Sequence, residues 1–334
     1  MTKKALITGF TGMVGSHLAD LLIKKKKFKI FGACRWRSPQ DNIKHLIPKI
    51  NKKEIGIEYF DLNDYSSIKN TIEKIRPDYI FHLAAQSFPK SSFKEREITY
   101  NTNLIGTDRL LHSIKTSKID PIIHICSSSE IFGRVKKKDL PIKENNSFHP
   151  ASPYAISKIG TDLIAKFYYE AYKMKILTTR MFTHTGPRRG DYFAESSFAK
   201  QIALIENGFQ KNIYVGNLNS MRTIADVRDA VNAYYLLVTK KPKFGENYNI
   251  GGKFSCTVGD ILKYLIKISH LKSVKIIKDK ERMRPIDADL QIPDVSKFKK
   301  HTGWKPKIKF EQTMLDLLNY WRDRVSSFGP DINR

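Results

Sequence analysis

A tyrosine and a lysine stand four positions apart, at Tyr154 and Lys158, at the head of a predicted helix over residues 154–172. Residues four apart share one helix face, so the lysine ammonium can lower the pKa of the phenol. Tyr154 could then accept a proton near neutral pH. The serine run 127–129 follows a strand-like segment and precedes the pair. Serine runs also build ordinary turns, but with Tyr154 and Lys158 downstream the pattern favours a proton-transfer site.

Three glycines at intervals of three, Gly9, Gly12 and Gly15, lie between a predicted strand over 5–8 and a predicted helix over 14–25. Glycine permits the tight turn and the close backbone approach that a dinucleotide pyrophosphate needs at a helix N-terminus. Glycine-rich turns also join strands to helices for structural reasons alone. The position after a strand and before a helix favours the cofactor interpretation.

The second predicted strand ends at Arg35, where chains that bind NAD usually carry an acid for the ribose hydroxyls. An arginine at this place favours the 2′-phosphate of NADP, and NAD stays possible. The alternative is that Arg35 and Arg37 are two more surface cations in a very basic chain.

Strand-like and helix-length segments alternate along the first half of the chain, which predicts an α/β fold: a Rossmann-like, doubly wound parallel sheet. After residue 184 the regularity weakens, which predicts a smaller mixed α/β substrate-binding lobe. We therefore expect a cofactor domain over 1–184 and a lobe over 185–330, with some segments of the latter returning to the first domain. The ligand cleft should open at the carboxyl ends of the strands. The predicted strands are 5–8, 29–34, 56–60, 79–83, 121–126 and 175–181, and the predicted helices are 14–25, 65–76, 95–117, 154–172, 193–208, 229–240, 257–269 and 310–325.

The composition is that of an ordinary globular chain, except for its charge. Of 334 residues 41% are hydrophobic, while 59 Lys and Arg against 33 Asp and Glu give a net charge of +26. The basic runs lack interleaved aromatics, so we expect an anionic small molecule as partner, and neither nucleic acid nor membrane. Cys34, Cys126 and Cys256 have no metal-ligand spacing, which predicts reduced thiols, no metal and a cytoplasmic location. The apolar stretches are too short for a membrane span or a secretory signal.

Several motifs together resemble the extended short-chain dehydrogenase/reductase superfamily. They are Thr8–Gly15, Asp61–Asp64, His82–Ser87, Ser128 and the pair Tyr154 and Lys158. Within that superfamily the GDP-mannose 4,6-dehydratase branch is similar at Ser129–Gly133, Gly186–Gly190, Val215–Asn219, Arg222, Arg284-Pro285 and Gly303–Pro306. The segment Ser197–Ile202 is at least as similar to the GDP-4-keto-6-deoxymannose reductases. The resemblance covers nearly the whole chain.

This resemblance implies an NADP-dependent hydro-lyase that acts on GDP-mannose or GDP-manno-heptose and supplies a 4-keto-6-deoxy sugar for surface polysaccharide. Tyr154 would take the proton of the sugar 4-hydroxyl while hydride passes to NADP⁺, with Ser128 bonded to the same oxygen and Lys158 holding the tyrosinate and the nicotinamide ribose. Glu130 would remove the C5 proton as the 6-hydroxyl leaves as water, before hydride returns to C6. The thymidine-sugar dehydratases carry Asp-Glu where this chain has Ser129-Glu130, which favours the GDP branch. A glutamate here can also cap a helix or pair with a lysine.

The expected site residues fall into three sets. The catalytic set is Ser128, Glu130, Tyr154 and Lys158. The cofactor set is Gly9, Thr11, Gly12, Met13, Val14, Gly15, Arg35, Asp61, Leu62, Leu83, Ala84, Ala85, Tyr154, Lys158 and His184, of which His184 is equally interpreted as a packed core histidine. The substrate set is Ser87, Ser128, Thr183, Arg188, Arg222 and Arg284, since the arginine fork pairs with phosphate oxygens.

Some departures from the family pattern keep alternatives open. The family usually shows Asn-His at Thr183-His184 and a threonine at Ser128, and these changes leave a GDP-linked heptose as a serious candidate beside mannose. The alternative functions are a GDP-4-keto-6-deoxy-sugar reductase, a 4-epimerase, and a non-catalytic basic binding protein on a dinucleotide fold. One apolar face on each of the helices 95–117 and 154–172 predicts a homodimer or homotetramer, although burial against their own sheet explains the same stripe.

Overall fold

The structure is a computed structural model that describes residues 2–330 and contains two unequal lobes. Its strands are β1 (Lys3–Thr8), β2 (Phe28–Cys34), β3 (Ile55–Tyr59), β4 (Tyr79–His82), β5 (Ile122–Cys126), β6 (Ile176–Met181), β7 (His184–Thr185), β8 (Asn212–Val215), β9 (Met221–Asp226), β10 (Asn247–Ile250), β11 (Phe254–Thr257), β12 (Lys275–Lys278) and β13 (Leu290–Gln291). Its helices are α1 (Met13–Lys25), α2 (Ile47–Asn51), α3 (Tyr65–Ile75), α4 (Arg96–Tyr100), α5 (Gly106–Thr116), α6 (Pro153–Tyr172), α7 (Ala194–Glu206), α8 (Val227–Thr239), α9 (Val258–Lys267), α10 (Ser296–Thr302) and α11 (Phe310–Phe328).

Seven parallel strands form the larger sheet, in the order β10-β6-β5-β4-β1-β2-β3. Its central strands are apolar on both faces, as β1 shows with Ala5, Leu6 and Ile7 fully buried. Such two-sided burial is typical of a parallel sheet covered by helices on both faces. The chain order reverses beside β1, so β1 and β4 lie at the switch point where doubly wound sheets bind ligands. The predicted doubly wound α/β fold is confirmed.

The helix predicted over 95–117 contains a local widening. Helices α4 and α5 run on through one π-helical turn, Asn101–Ile105. Within this turn the Asn103 amide donates to the Gln86 carbonyl and to Ser157 Oγ, both at 2.9 Å. The turn therefore ties the loop after β4 to the first turns of α6, which carry Tyr154.

The second lobe has its own small sheets and its own core. β11, β9 and β13 lie side by side with β7 also paired to β9, and β8 pairs with β12. Helices α7, α9 and α11 pack around buried Phe198, Leu262 and Trp321. Three elements from this half of the chain, β10, α8 and α10, belong instead to the larger lobe. β10 adds to its sheet beside β6, and Tyr234 of α8 packs into its core.

Across residues 2–330 no helix is long and apolar enough to cross a membrane. The three cysteines are free, and the same residues contain no cluster of His, Cys, Asp and Glu able to hold a metal ion.

Candidate active site

The turn between β1 and α1 is a cradle lined by backbone. Gly9 has φ +69°, and a Cβ on it would lie 2.9 Å from the Ala84 nitrogen. A Cβ on Gly15 would lie 2.3 Å from the Gly9 carbonyl oxygen. Thr8 Oγ1 accepts the backbone N–H groups of Leu83 and Ala84 at 3.1 Å each, which fixes the ends of β1 and β4 together. No acidic residue occupies the first turn of α1, so this helix end fits an anionic pyrophosphate.

The other residues of the expected cofactor set meet at the same edge of the sheet. Arg35 follows β2, Asp61 and Leu62 follow β3, Leu83 to Ala85 follow β4, and His184 lies just beyond β6. Arg35 is exposed. Burial lowers the pKa of His184 to about 3, with a further contribution from Arg189, so its imidazole is neutral.

Tyr154 lies in the first turn of α6, where Ser152 Oγ caps the helix by accepting the Ala155 N–H at 3.0 Å. Its own N–H donates to Ser92 Oγ at 3.1 Å, and its phenol hydrogen-bonds Ser128. Burial raises the pKa of Tyr154 well above its usual value, with smaller contributions from Cys126 and Glu130, while Ser128 and Arg189 lower it. The phenol is therefore held in place but needs nearby positive charge to ionise.

The Lys158 ammonium has a different partner from the Tyr154 phenol that the sequence predicts. Its ammonium donates to the Cys126 carbonyl oxygen at 2.7 Å, and burial lowers its pKa. The cation that lowers the pKa of Tyr154 is Arg189, a residue absent from the expected set. One turn of helix separates Tyr154 from Lys158 as predicted, but helix spacing alone could not show that a strand-end carbonyl binds the ammonium.

Glu130 faces into the cleft from a short 3₁₀ turn over Ser129–Phe132, which Ser128 caps by accepting the Glu130 N–H at 3.2 Å. Its side chain is 15% exposed, and Oε2 lies 3.7 Å from Nη1 of Arg284. Arg284 also lies 3.5 Å from Asp287. Arg222 is close enough to Glu130 for the carboxylate charge to affect its pKa. Its guanidinium donates to the carbonyls of Met221 and Ala288 at 2.9 and 2.8 Å. The structure thus brings Glu130, Tyr154, Arg222 and Arg284 together.

Arg188 and Arg189 diverge because Arg188 has a left-handed backbone, at φ +70°. Arg188 donates to Asp20 of α1 at 2.8 Å, which places it beside that helix and not with Arg222 and Arg284. Arg189 instead lies over the Phe193 ring, 3.3 Å from its centroid, and close enough to Tyr154 to affect its pKa. The adjacent arginines at positions 188 and 189 were the sequence feature that could have pointed to Arg189, but the sequence does not show which of the two faces the cleft.

The two remaining residues of the substrate set lie in the loops that follow β4 and β6. Ser87 is exposed in the loop after β4, and Thr183 is half-buried between β6 and β7 with its carbonyl bound to the Ala225 N–H at 2.9 Å. The arrangement as a whole offers a phenol bonded to a hydroxyl, a carboxylate facing it, and two arginines beside that carboxylate. Such a cleft can move protons at two neighbouring positions of one anionic substrate.

Comparison with known proteins points to one family. A family model described as GDP-mannose 4,6 dehydratase matches residues 6–317. GDP-mannose 4,6 dehydratase 1 of Arabidopsis thaliana is 32% identical over 323 residues, which cover 93% of this chain and 87% of the relative. GDP-6-deoxy-D-mannose reductase of Pseudomonas aeruginosa is 28% identical over 326 residues, which cover 97% and 99%.

Among solved structures, RMD from Pseudomonas aeruginosa complexed with NADPH is similar at a TM-score of 0.81 and 26% identity, covering 97% of this chain and 100% of that one. The family match spans the glycine cradle, Glu130, Tyr154 and both cleft arginines. This chain belongs to the GDP-mannose 4,6-dehydratase family.

Proposed function

We propose that this protein is a nucleotide-sugar 4,6-dehydratase that converts GDP-mannose or GDP-manno-heptose to the 4-keto-6-deoxy sugar. The observation that carries the proposal is the position of Glu130, which faces both Tyr154 and the arginines of the second lobe. A carboxylate across the cleft from a phenol suits a reaction with proton transfers at two carbons of one ring. The family match and the Arabidopsis thaliana relative support the same chemistry.

NADP is the proposed cofactor, and it would supply reversible hydride transfer when bound. The residues that would hold it are the glycine cradle at Gly9–Gly15, Asp61-Leu62, Leu83–Ala85 and His184. Arg35 would face the 2′-phosphate, since its guanidinium is exposed at the end of β2, where that group would lie. The Pseudomonas aeruginosa structure complexed with NADPH supports the phosphorylated form.

Tyr154 and Ser128 serve the oxidation at C4. As a tyrosinate, Tyr154 accepts the proton of the 4-hydroxyl, while the Ser128 hydroxyl donates a hydrogen bond to the same sugar oxygen. Lys158 would hold the nicotinamide ribose, in keeping with its place one turn beyond Tyr154.

Glu130 serves the elimination that follows. A ketone at C4 acidifies C5–H, so the carboxylate removes that proton and the electron pair of the C5–H bond forms a C5–C6 double bond. The C6–O bond breaks, and protonated Glu130 returns its proton to the departing hydroxyl, which leaves as water. One group thus acts first as base and then as acid. The 4-keto-6-deoxy sugar is complete once C6 receives the hydride taken from C4 and C5 receives a proton from water.

Arg222 and Arg284 are the proposed diphosphate ligands. Both guanidinium groups lie close to Glu130, and Arg284 is already placed between two carboxylates, Glu130 and Asp287. Bidentate contacts from guanidinium groups suit phosphate oxygens. Arg188 leaves this proposed set because Asp20 holds it at α1.

Incubation of the purified protein with GDP-, dTDP-, UDP- and CDP-sugars, including GDP-heptose, tests the proposal. We expect mass spectrometry to show loss of one water from a GDP-sugar, with no net consumption of NADPH. Stoichiometric oxidation of NADPH with a 4-keto sugar would instead establish the reductase, which the Pseudomonas aeruginosa relative favours as the second candidate. If neither reaction occurs with any of these nucleotide sugars, both candidate functions are contradicted.

We further propose that the protein is a homodimer or a pair of homodimers. Leu163 and Phe167 of α6 are 56% and 52% exposed, and Ile98 is exposed on α4, which packs against α6. Ile156 lies seven residues before Leu163, on the same face of α6 and also exposed. A second copy of the same face would bury this apolar surface.

A further inference from the structure

A buried ion pair lies between the loop after β7 and the first turn of α7. Nε of Arg189 is 3.4 Å from Oε1 of Glu195, and Glu195 is only 6% exposed. Neither of these two atoms makes a hydrogen bond, although both are buried. The pair is therefore held by charge attraction and by the Phe193 ring, which lies 3.3 Å from the guanidinium.

The backbone around this pair is firmly anchored. Ser196 Oγ donates to the Arg189 carbonyl at 2.7 Å and accepts the indole N–H of Trp321 at 2.9 Å. The backbone of Arg189 is thus held in place. Its side-chain direction, and therefore the position of its charge, depends on other contacts.

A continuous series of contacts connects the pair to Tyr154. The Phe193 ring lies 5.6 Å from the Phe88 ring. The Phe88 carbonyl accepts the Ser92 N–H at 3.2 Å, and Ser92 Oγ accepts the Tyr154 N–H at 3.1 Å. Arg189 and Tyr154 are therefore placed by the same packed segment.

We infer that Glu195 is a positioning residue that holds the Arg189 guanidinium where its positive charge stabilises the ionised form of Tyr154. The inference rests on the proposed role of Tyr154 as the base for the 4-hydroxyl. Without the Glu195 charge, the Arg189 guanidinium would be a buried ion with no opposite charge beside it. Because burying an unpaired charge costs free energy, we expect the guanidinium to turn toward solvent.

The other groups that act on Tyr154 in the structure are neutral or negative. Ser128 is neutral, and the charge of Glu130 and a Cys126 thiolate would oppose ionisation. Lys158, on the same helix, directs its ammonium to the Cys126 carbonyl. Among the described groups that act on Tyr154, Arg189 is the cation.

Direct titration of Tyr154 tests the inference without any sugar substrate. The protein carries ¹³Cζ-labelled tyrosine and bound NADP, and Tyr154→Phe identifies the Tyr154 signal by NMR. In Glu195→Gln we expect the Tyr154 pKa to rise by about one unit or more, which lowers its ionised fraction about tenfold at fixed alkaline pH. Glu195→Asp, which keeps the charge, should recover most of the ionised fraction.

Glu206→Gln is the matched control, since it removes a carboxylate from the other end of α7, where Glu206 pairs with Arg322 at 2.7 Å. It should leave the Tyr154 signal unchanged. The double variant Arg189→Met/Glu195→Gln removes both charges and leaves no unpaired ion. It should raise the Tyr154 pKa as Glu195→Gln does, and it keeps the test available if the single variant fails to fold.

The pH profile of kcat/KM gives a second readout. Its acidic limb should move to higher pH by the same amount in Glu195→Gln. A Tyr154 signal that titrates unchanged, or at lower pH, in both Glu195→Gln and the double variant would overturn the inference. Because the NMR titration needs no turnover, that result is distinct from a failure of the proposed dehydratase activity.

Discussion

Glu130 has two proposed roles in one reaction, because it acts as base and then as acid in the elimination. Its carboxylate lies 3.7 Å from Arg284, and it opposes ionisation of Tyr154. The two proposed bases therefore disfavour each other's charge, and the surrounding arginines, Arg189, Arg222 and Arg284, offset that repulsion. A basic cleft of this kind suits a substrate that itself brings a diphosphate.

Glu130→Gln should abolish water loss and leave cofactor binding intact. The amide has nearly the same shape but cannot take the C5 proton, so we expect the dehydration rate to fall by about 10²–10⁴-fold. Mass spectrometry of the GDP-sugar product measures the rate, and NADPH fluorescence measures cofactor binding. Glu170→Gln, on an exposed glutamate of α6, is the control. Normal turnover in Glu130→Gln would remove this residue from the mechanism.

The β1–α1 turn depends on glycine at position 15, which has no side chain. A methyl group on Gly15 would meet the Gly9 carbonyl oxygen at 2.3 Å and the Phe10 Cα at 2.8 Å. Both obstacles are backbone atoms, so the turn itself must shift to make room. The same turn is the proposed pyrophosphate site.

Gly15→Ala should therefore weaken NADP binding by about tenfold or more, since a shifted turn loses N–H contacts to charged oxygens worth about 1.5–3 kcal/mol each. Fluorescence titration with NADPH measures the affinity. Gly190→Ala is the matched control, because a Cβ there meets nothing within 4 Å. An unchanged affinity in Gly15→Ala would show that the cofactor does not approach this turn.

Sequence patterns predicted most elements of the larger lobe, because its strands are short apolar runs and its helices carry regular apolar spacing. The predicted helix over 154–172 is α6 to within one residue. The π-helical turn at Asn101–Ile105 was not predicted, since it depends on Asn103 reaching Gln86 and Ser157 in other elements. The pairing of β10 with β6 likewise depends on contacts between distant parts of the chain.

The candidate site was predictable where a motif fixes the backbone and less so where side chains choose a direction. Ser128 and Glu130 both act on Tyr154 in the structure, and the glycine cradle lies at the carboxyl end of β1 against the backbone after β4. Arg188 and Arg189 are adjacent and chemically identical, so their opposite directions follow only from the left-handed backbone at Arg188 and from Asp20 and Glu195. Glu195 carried no motif and emerged only through its contact with Arg189.

The two lobes are tied together close to the cofactor cradle. Asn42 of the larger lobe donates to the Thr11 carbonyl at 3.2 Å and to the Arg188 carbonyl at 3.3 Å. Arg188 bonds Asp20, and Arg324 of α11 lies 3.8 Å from Asp41. These contacts hold the loop that carries Arg189 against the glycine turn. The cleft is thus set by packing between lobes, which explains why neither half of the chain contains a complete site.

The exposed apolar face of α6 leads to a prediction about the whole molecule. Phe167 and Leu163 lie one helical turn apart and are both more than half exposed, which is costly unless a partner covers them. A stable dimer buries about 800 Å² on each copy, and the exposed apolar residues of α4 and α6 would lie within such an interface. Phe167→Asp would place a charge in that buried interface on both copies.

We expect Phe167→Asp to convert the dimer to monomer, with a rise of at least about 100-fold in the dissociation constant, since two unpaired charges would be buried at the interface. Sedimentation velocity over a range of concentrations measures it. Phe209→Asp is the matched control, because Phe209 is 51% exposed but lies beyond the end of α7, away from α6. A parent protein that sediments as a monomer, or a Phe167→Asp variant that stays dimeric while Phe209→Asp dissociates, would place the interface elsewhere. Since α6 also carries Tyr154, a monomeric variant that keeps its activity would show that the catalytic helix is held by its own lobe alone.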